Sequence, residues 1–525
     1  MPSQLHCGRI QRILAIAVLA VALSAILSAC STVDFDYPKT PTTYIDNTDD
    51  TPFGKAWQDL EQDASDNQSA FYLLTDGIES LAARLIMADR AEKTLDAQYY
   101  LITADNIGLV FIGSLLDAAD RGVRVRLLLD DIQTQGYDLG LAALDAHPNF
   151  EIRIFNPWGS RKFRGADIFK FSRLNRRMHN KSFTVDNRAT IIGGRNIAAE
   201  YFSAREDVNF GDLDVFGMGS VVTDVSGMFD QYWNHTSSVP VPGFAKSSAD
   251  PKGDLEKLRA EIEKAVRSFD DSQYLKAFED TWDQFVNQGR VRQELIWANY
   301  EVVYDSPDKS IKSKAAEADS IVTPLRASIF AAEKEVTIVS PYFVPQRKGA
   351  EGFKALREQG IEVAVVTNSL AANNHAVVHS GYAPAREPLL KMGVRLYEVK
   401  ANAKMSGVDR GGKGASLATL HTKAFLVDDD TFFLGSFNFD PRSANINTEL
   451  GIILKSEAIG QAVKEKLESG LLQNTYEVKL DEKGNLIWFD YSGDYPVSYS
   501  KEPDTGGWDR FKVGFLELLP IKGQL

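Results

Sequence analysis

The feature that most constrains this chain is an internal repeat. The pattern His-x-Lys-x-x-x-x-Asp occurs at residues 179–186 and returns at residues 421–428, a separation of 421 − 179 = 242 residues. Two tyrosines that end predicted strands, Tyr100 and Tyr342, are also 342 − 100 = 242 residues apart. A constant offset over such a span is the signature of a duplication, so we expect two similar halves.

The hydrophobic periodicity alternates between helix and strand, which predicts an α/β fold with helices covering a sheet. The first half has predicted helices at 80–91 and 109–119 and strands at 94–101, 122–130 and 150–155. The second half has predicted helices at 321–332 and 352–359 and strands at 335–343, 360–368, 393–398, 476–480 and 486–491. A chain of 525 residues is too long for one core, so we predict domains at 57–244 and 311–525, joined by a helical connector at 245–310.

The N-terminus resembles the leader of a bacterial lipoprotein. Two arginines precede an almost wholly apolar stretch that ends in Leu-Ser-Ala-Cys at residues 27–30, which matches the motif where such leaders are cleaved and the cysteine is lipidated. This predicts a signal peptide at 1–29 and a lipid on Cys30, which would anchor a periplasm-facing protein to a membrane of the bacterial cell envelope. An uncleaved membrane anchor is the alternative. The polar residues 30–56 contain three prolines and predict a flexible tether.

Composition narrows the classes of function. The formal charge of −14 makes the chain a poor general nucleic-acid binder, since that affinity comes mostly from neutralising phosphates. The only cysteines are Cys7 and Cys30, which excludes an internal disulfide or a cysteine-based metal site in the body of the protein.

The residue types of the repeated motif suit phosphate chemistry. Side chains at i and i+2 of an extended strand project to one face, so the histidine and lysine of each motif point the same way. A glycine-rich turn after each motif ends in an asparagine, whose amide can donate to an anion. Two such halves would supply one histidine to attack phosphorus, one to protonate the leaving oxygen, and donors for the other oxygens. The candidates are His179, Lys181, Asn196, His421, Lys423 and Asn438.

These features resemble the phospholipase D superfamily. The likeness rests on the paired motifs, the glycine-rich turns and the duplication, and it covers nearly the whole chain after the leader. Further stretches are similar to the cardiolipin synthases, and among them to the short, lipoprotein-like C type, at residues 96–100, 171–181, 367–373 and 435–443. The resemblance implies two duplicated domains, each a mixed β-sheet flanked by helices, with one active site at their pseudo-twofold interface.

The resemblance also implies an activity. Enzymes of this family transfer a phosphatidyl group through a phosphohistidine and need no metal or other cofactor. The donor would be phosphatidylglycerol or phosphatidylethanolamine and the acceptor phosphatidylglycerol, at a bacterial membrane surface and without nucleic acid. By the family pattern His179 attacks and His421 is the general acid and base, while the motif lysines and the two asparagines bind the phosphoryl oxygens. Ser436 and Arg442, in the 435–443 stretch, are counted with the substrate-binding residues.

In this family a carboxylate downstream of each motif orients the histidine. Glu449 lies 449 − 421 = 28 residues beyond the second histidine and fits this role. In the first half Asp212 and Asp214 are both candidates, and we favour Asp214 by analogy with Glu449. The motif acids Asp186 and Asp428 are counted with the catalytic motifs, although a position directly after a strand favours a turn-holding role.

Several interpretations remain open. Hydrolysis of a phospholipid or a nucleic acid by the same site differs from transfer only in whether water or an alcohol resolves the phosphohistidine. A non-catalytic lipid-binding lipoprotein would require both motifs to be vestigial. The basic and aromatic run at 161–177 is either a lip for anionic headgroups or a solvated loop. His375 and His379 favour a structural or headgroup contact over a metal site, since no third ligand is nearby.

Overall fold

The computed structural model describes residues 33–65, 67–161, 164, 167, 171–245, 249–312, 320–373, 375–403 and 417–517. The predicted leader and Cys30 lie outside the described residues, as does part of the basic run, at 162, 163, 165, 166 and 168–170. Within the part of the chain that the structure describes, no helix has both the length and the apolarity to span a bilayer.

The strands of the described residues are numbered in chain order. They are β1 Gln68–Leu74, β2 Thr94–Tyr99, β3 Arg124–Asp130, β4 Phe150–Phe155, β5 Ser182–Val185, β6 Ala189–Gly193, β7 Val208–Gly211, β8 Asp214–Met218, β9 Ser238–Pro240, β10 Ile296–Tyr304, β11 Glu335–Val339, β12 Glu362–Asn368, β13 Arg395–Val399, β14 Leu417–Leu420, β15 Ala424–Val427, β16 Thr431–Gly435, β17 Leu450–Lys455, β18 Thr475–Leu480, β19 Leu486–Asp490 and β20 Val497–Tyr499.

Helices cover the sheet and several begin at a side-chain cap. The Asp76 carboxylate accepts from the Ile78 and Glu79 amides at the start of one helix, and the Asp105 carboxylate accepts from the Gly108 amide of the next, which supplies partners that helix starts otherwise lack. The α-helices span Pro52–Leu60, Gly77–Asp89, Asn106–Asp120, Asp138–Asp145, Phe171–Leu174, Ser220–Asn234, Pro251–Arg267, Gln273–Val286, Arg290–Gln293, Val322–Phe330, Gln346–Glu358, Ala376–Tyr382, Arg386–Lys391, Pro441–Asn445, Glu457–Asn474 and Gly507–Glu517.

Both halves of the chain contribute to one continuous sheet. The pairings give the order β9-β4-β3-β2-β5-β6-β8-β1 in the first half and β10-β17-β16-β15-β11-β12-β13-β18-β19-β20 in the second, and β1 joins β10 at the centre. In each half three neighbouring strands are parallel, β2-β3-β4 and β11-β12-β13, and the others are antiparallel. The predicted mixed α/β fold with a duplication is therefore confirmed, and the predicted strand pair near the end of the chain is β18 and β19.

The offset between the halves is not constant. Strands β5 and β6 match β15 and β16 at 242 residues, since Ser182 pairs with Ile192 and Ala424 pairs with Leu434. Strand β2 matches β11 at 241 residues. Leu95 of β2 pairs with Val185 of β5, and Val336 of β11 pairs with Val427, the counterpart of Val185 in β15. The predicted equivalence of Tyr100 and Tyr342 is thus off by one residue, and such a slip turns a side chain to the other face.

Two expected boundaries differ in the structure. The stretch 245–310 is helical only in part, because it ends in β10, which lies at the centre of the sheet. Residues 33–56, expected to be a flexible tether, lie along the first half, where Lys39 Nζ donates to the Ser238 carbonyl at 2.7 Å and the Tyr44 amide donates to Asp230 at 2.8 Å. Backbone and side-chain oxygens of the body accept these hydrogen bonds, so the segment lies against the body although it has few apolar residues.

Candidate active site

His179 is held by residues of the other half. Its Nδ1 lies 2.8 Å from Glu449 Oε2 and 3.1 Å from the Ser436 carbonyl oxygen, and its backbone amide donates to the Thr448 carbonyl at 2.8 Å. The imidazole is buried. A carboxylate on Nδ1 fixes the ring so that Nε2 faces the reacting group.

His421 has the reciprocal arrangement. Its Nδ1 lies 2.6 Å from Asp212 Oδ2 of the first half, and its backbone amide donates to the Gly211 carbonyl at 2.7 Å. Just before this point β14 pairs with β7, which joins the two halves in a small parallel sheet. Each histidine therefore receives its carboxylate from the other half, although the sequence had suggested partners within one half.

The preference for Asp214 is wrong, because Asp212 is the residue that contacts a histidine. Asp214 is fully buried and its carboxylate faces Arg84 at 3.0 Å and Arg195 at 3.3 Å. Strand register explains the correction. Gly193 of β6 pairs with Asp214, whereas the matching glycine of β16 pairs with Gly451, so the residues two positions earlier, Asp212 and Glu449, are the equivalent pair.

The two motif lysines lie beside the histidines. Lys181 Nζ donates to the His179 carbonyl at 2.6 Å, and Lys423 Nζ lies 2.7 Å from His421 Nδ1. Burial lowers the pKa of Lys181 to about 7, with a further contribution from the charge of Lys423, and burial lowers the pKa of Lys423 to about 8. Charges of one motif thus act on the other, as expected of a single shared site.

Aromatic rings line the two histidines differently. Tyr100 meets His179 edge to face at 4.8 Å between ring centroids. His421 instead lies between Tyr201, edge to face at 5.0 Å, and Phe210, stacked at 5.4 Å. The Tyr201 hydroxyl also lies 3.5 Å from His421 Nε2. Tyr201 and Phe210 have no signal in the motifs, and only the structure shows them at the site.

The two asparagines after the motifs are both buried in the site. Asn196 Nδ2 donates to the Tyr201 hydroxyl at 2.8 Å, and the backbone amide of Asn438 donates to Ser443 Oγ at 3.2 Å. The side-chain Oδ1 atoms of both asparagines lack a partner among the described residues. Because the two ends of an amide are interchangeable by rotation, each side chain can turn an N–H toward an anion.

Two other predicted substrate-binding residues have structural partners. The Ser436 hydroxyl donates to Glu449 Oε2 and accepts from the Leu450 amide at 3.0 Å, so it positions the carboxylate behind His179. Arg442 donates to the Asn175 side chain and carbonyl at 2.8 and 2.7 Å, which ties the second half to the segment before the first motif.

Comparison with known proteins identifies the family. A family model described as "Cardiolipin synthase, PLD-like domain" matches residues 85–233 and again residues 325–470, one match in each half of the sheet. Cardiolipin synthase C of Escherichia coli is 40% identical over 461 residues, which cover 87% of this chain and 96% of that protein. The chain belongs to the phospholipase D superfamily.

Two further comparisons agree with that assignment. A cardiolipin synthase of Clostridium perfringens is 24% identical over 380 residues, which cover 72% of this chain and 65% of that protein. A phosphatidylserine synthase of Haemophilus influenzae superposes with a TM-score of 0.54 and 14% identity, over 81% of this chain and 92% of that chain. The superposition shows a shared fold, and the paired His-x-Lys motifs are those of a phospholipase D-like enzyme.

The motif aspartates of this phospholipase D-like chain serve the backbone. Asp186 accepts from the amides of Lys93 and Thr94 at 2.7 and 2.9 Å. Asp428 accepts from the equivalent amides of the second half, at 2.8 and 3.0 Å. Both aspartates have a positive φ, 52° and 51°, as a tight turn requires. They hold each motif strand to its neighbour and do not contact either histidine.

Two arginines in the described part of the basic run are buried and face carboxylates. Arg161 pairs with Asp131 and Asp138, and Arg177 lies 3.3 Å from Asp130. His379 Nε2 faces Glu502 Oε1 at 3.2 Å. Among the residues that the structure describes, no group of three or more histidine, cysteine or acidic side chains is arranged to hold a metal ion.

Proposed function

We propose that this protein is a phosphatidyltransferase that makes cardiolipin. It would transfer a phosphatidyl group from phosphatidylglycerol or phosphatidylethanolamine to phosphatidylglycerol. The observation that carries the proposal is the crosswise pair of histidine–carboxylate contacts, His179 with Glu449 and His421 with Asp212, beside two buried lysines. The 40% identity to a cardiolipin synthase over nearly all of both chains supports the choice of reaction.

In the first step His179 Nε2 attacks phosphorus and the bond from phosphorus to the donor's headgroup oxygen breaks. His421 gives its proton to that leaving oxygen, and Glu449 stabilises the positive charge on the attacking imidazole. The lysine ammonium groups and the asparagine amides stabilise the charge on the non-bridging oxygens. His179 is the better nucleophile of the two because no described residue bonds to its Nε2, whereas the Tyr201 hydroxyl lies beside that of His421.

In the second step His421 takes the proton from the acceptor hydroxyl, whose oxygen attacks the phosphohistidine and releases His179. The proton gained by His421 replaces the one given to the leaving group, so atoms and charges balance over one turnover. Burial, together with Lys423, lowers the pKa of His421 to about 3, which leaves the ring neutral before lipid binds. An anionic phosphodiester raises the pKa of the ring, because an opposite charge favours the protonated form, so His421 takes up a proton from solvent as lipid binds and then gives it to the leaving oxygen.

The test is an assay with labelled phosphatidylglycerol that resolves cardiolipin from phosphatidic acid. We expect cardiolipin as the main product, and no transfer by His179→Ala or His421→Ala, each with a normal melting temperature. Rapid quenching into a neutral denaturant should trap a phosphohistidine on His179. Phosphatidic acid as the main product would identify a hydrolase, and transfer retained by either variant would contradict the shared site.

The proposed place of action is a membrane of the bacterial cell envelope, with the protein held by a lipid on Cys30. The leader motif in the sequence supports this location. Metabolic labelling with palmitate should mark the wild-type chain and leave Cys30→Ala unlabelled. A Cys30→Ala chain that still takes up palmitate would contradict lipidation at this residue.

A further inference from the structure

The helix Gly507–Glu517 presents an aromatic face to solvent. The face consists of Trp508, Phe511 and Phe515, whose exposed fractions are 65%, 60% and 57%. Their spacing of three and four residues places them on one side of the helix. The Trp508 ring stacks on Phe511 at 5.4 Å, and Lys512 Nζ lies 5.6 Å from the Trp508 ring. Large apolar rings grouped in this way mark an interaction surface.

The other side of this helix is packed against the rest of the protein. Val513 is buried and the helix packs against Ala376–Tyr382. The residues just before it are held by Glu502, which pairs with Arg386 and His379, and by Asp504, which accepts from a tyrosine hydroxyl of β18 at 2.7 Å. The aromatic face therefore lies on a helix whose opposite side is held by the helix Ala376–Tyr382.

The helix Ala376–Tyr382 lies near the second motif. The helix Ala376–Tyr382 follows His375, whose ring lies 5.5 Å from Tyr342. The segment just before this helix also meets β14, where Thr419 Oγ1 donates to the Ala372 carbonyl at 3.0 Å. Thr419 is two residues before His421, so the helix that supports the aromatic face adjoins the strand that leads to a motif histidine.

The aromatic face is too small for a stable protein partner. Three aromatic side chains of about 150–250 Å² each, exposed by roughly three fifths, offer on the order of 300–450 Å². A specific protein–protein interface buries about 800 Å² on each partner. A bilayer has no such threshold, because its interfacial region accepts single tryptophan and phenylalanine rings beside basic side chains such as Lys512.

We propose that the aromatic face of Gly507–Glu517 inserts into the interfacial region of a phospholipid bilayer and holds the neighbouring active site at the membrane surface. The inference rests on the proposed function only in its choice of partner, since the bilayer is the source of both lipid substrates. Lys512 and the polar edge of the helix would remain at the level of the headgroup phosphates.

The test uses an environment-sensitive fluorophore attached to the full chain through Phe511→Cys. The matched control carries the fluorophore at Ser469→Cys, an exposed position on the helix Glu457–Asn474. The signal of the wild-type chain treated in the same way is subtracted, because Cys7 and Cys30 are present in all three. Vesicles contain phosphatidylethanolamine and phosphatidylglycerol, with and without a nitroxide on the acyl chains.

We expect vesicles to shift the emission at position 511 to the blue and the nitroxide to quench it, with no change at position 469. A probe at 511 that stays in water with vesicles present would overturn the proposal. A blue shift without vesicles would also overturn it, and would indicate a second copy of the chain if it depends on protein concentration or residues 518–525 if it does not. Failure to form cardiolipin would defeat the proposed function and leave this result unaffected.

A second measurement separates membrane contact from chemistry. Replacing all three aromatic residues with serine should lower the transfer rate on vesicles at limiting lipid by about tenfold or more, because the lost apolar area weakens interfacial binding. The rate on short-chain lipids dispersed as monomers, and the melting temperature, should stay at wild-type values. Unchanged rates on vesicles, or equal losses on both substrates, would contradict the proposal.

Discussion

The two motif histidines have equivalent carboxylate and backbone contacts and different aromatic neighbours. His179 and His421 each have a carboxylate on Nδ1 from the other half and a backbone amide bonded to that half. Their aromatic neighbours are not symmetric, because Tyr100 meets His179 edge to face while His421 lies between Tyr201 and Phe210. The carboxylate and backbone contacts, which repeat, orient both histidines. The aromatic contacts, which do not repeat, can give the two histidines separate roles.

The largest expected effects come from neutralising the carboxylate that contacts each histidine, one variant at a time. Glu449→Gln and Asp212→Asn should each lower the transfer rate by about 10³-fold or more, because the ring then loses its orienting and stabilising carboxylate. A donor with a nitrophenol leaving group, which needs no protonation, separates the two. It should restore phosphohistidine formation in Asp212→Asn and not in Glu449→Gln.

The opposite pattern of rescue would exchange the roles of the two histidines. Asp214→Asn is the matched control, since Asp214 is equally buried but faces Arg84 and Arg195. It should lower the free energy of unfolding by about 3 kcal/mol, the cost of unpairing buried charge. The activity of its folded fraction on both donors should change in the same proportion.

A moderate effect is expected from pH, through the motif lysines. Their ammonium groups are present below their pKa values, about 7 for Lys181 and about 8 for Lys423, and are lost as the pH rises through them. The kcat/KM should therefore fall more steeply above about pH 7–8, since it reports the free enzyme and loss of the ammonium groups adds to the proton that His421 must take up. Lys423→Arg should move this falling limb to higher pH, because a guanidinium stays charged. If kcat/KM falls at the same pH in Lys423→Arg or Lys181→Arg as in the wild type, groups other than these lysines control the pH dependence.

The smallest effects are expected at the motif aspartates, where the halves differ only in burial. Asp186 is fully buried and Asp428 is partly exposed, and both accept backbone amides. Asp186→Asn should lower the free energy of unfolding by about 1–3 kcal/mol and Asp428→Asn by about 1 kcal/mol or less. Urea denaturation measures both values. A loss of activity in the folded protein would assign these aspartates to the chemistry instead.

How far the sequence predicts this protein depends on what each residue contacts. The histidines and lysines follow from local spacing, and the structure brings them together. Glu449 also follows from spacing, but it contacts His179 and not His421, and Asp212 is missed, because a carboxylate from the other half depends on how the halves meet. A signal for Asp212 does exist, since Asp212-Leu213 matches Glu449-Leu450, whereas Asp214 matches a glycine.

Other differences have similar physical causes. The place of β10 at the centre of the sheet depends on pairing with β1 and β17, which no local periodicity shows. The polar segment after residue 33 is held by hydrogen bonds from its backbone and from Lys39, and composition says little about such bonds. The one-residue slip between β2 and β11, both of them predicted, is accompanied by different contacts, since Tyr100 meets His179 whereas Tyr342 meets His375.

The crosswise carboxylates also govern when the enzyme can first act during its own synthesis. The carboxylate that orients His179 lies 270 residues later in the chain. At about 5–20 residues per second, a ribosome takes some tens of seconds to make that interval. Until then the first half carries a histidine without its carboxylate partner. The site is therefore complete only when both halves of the chain have been made.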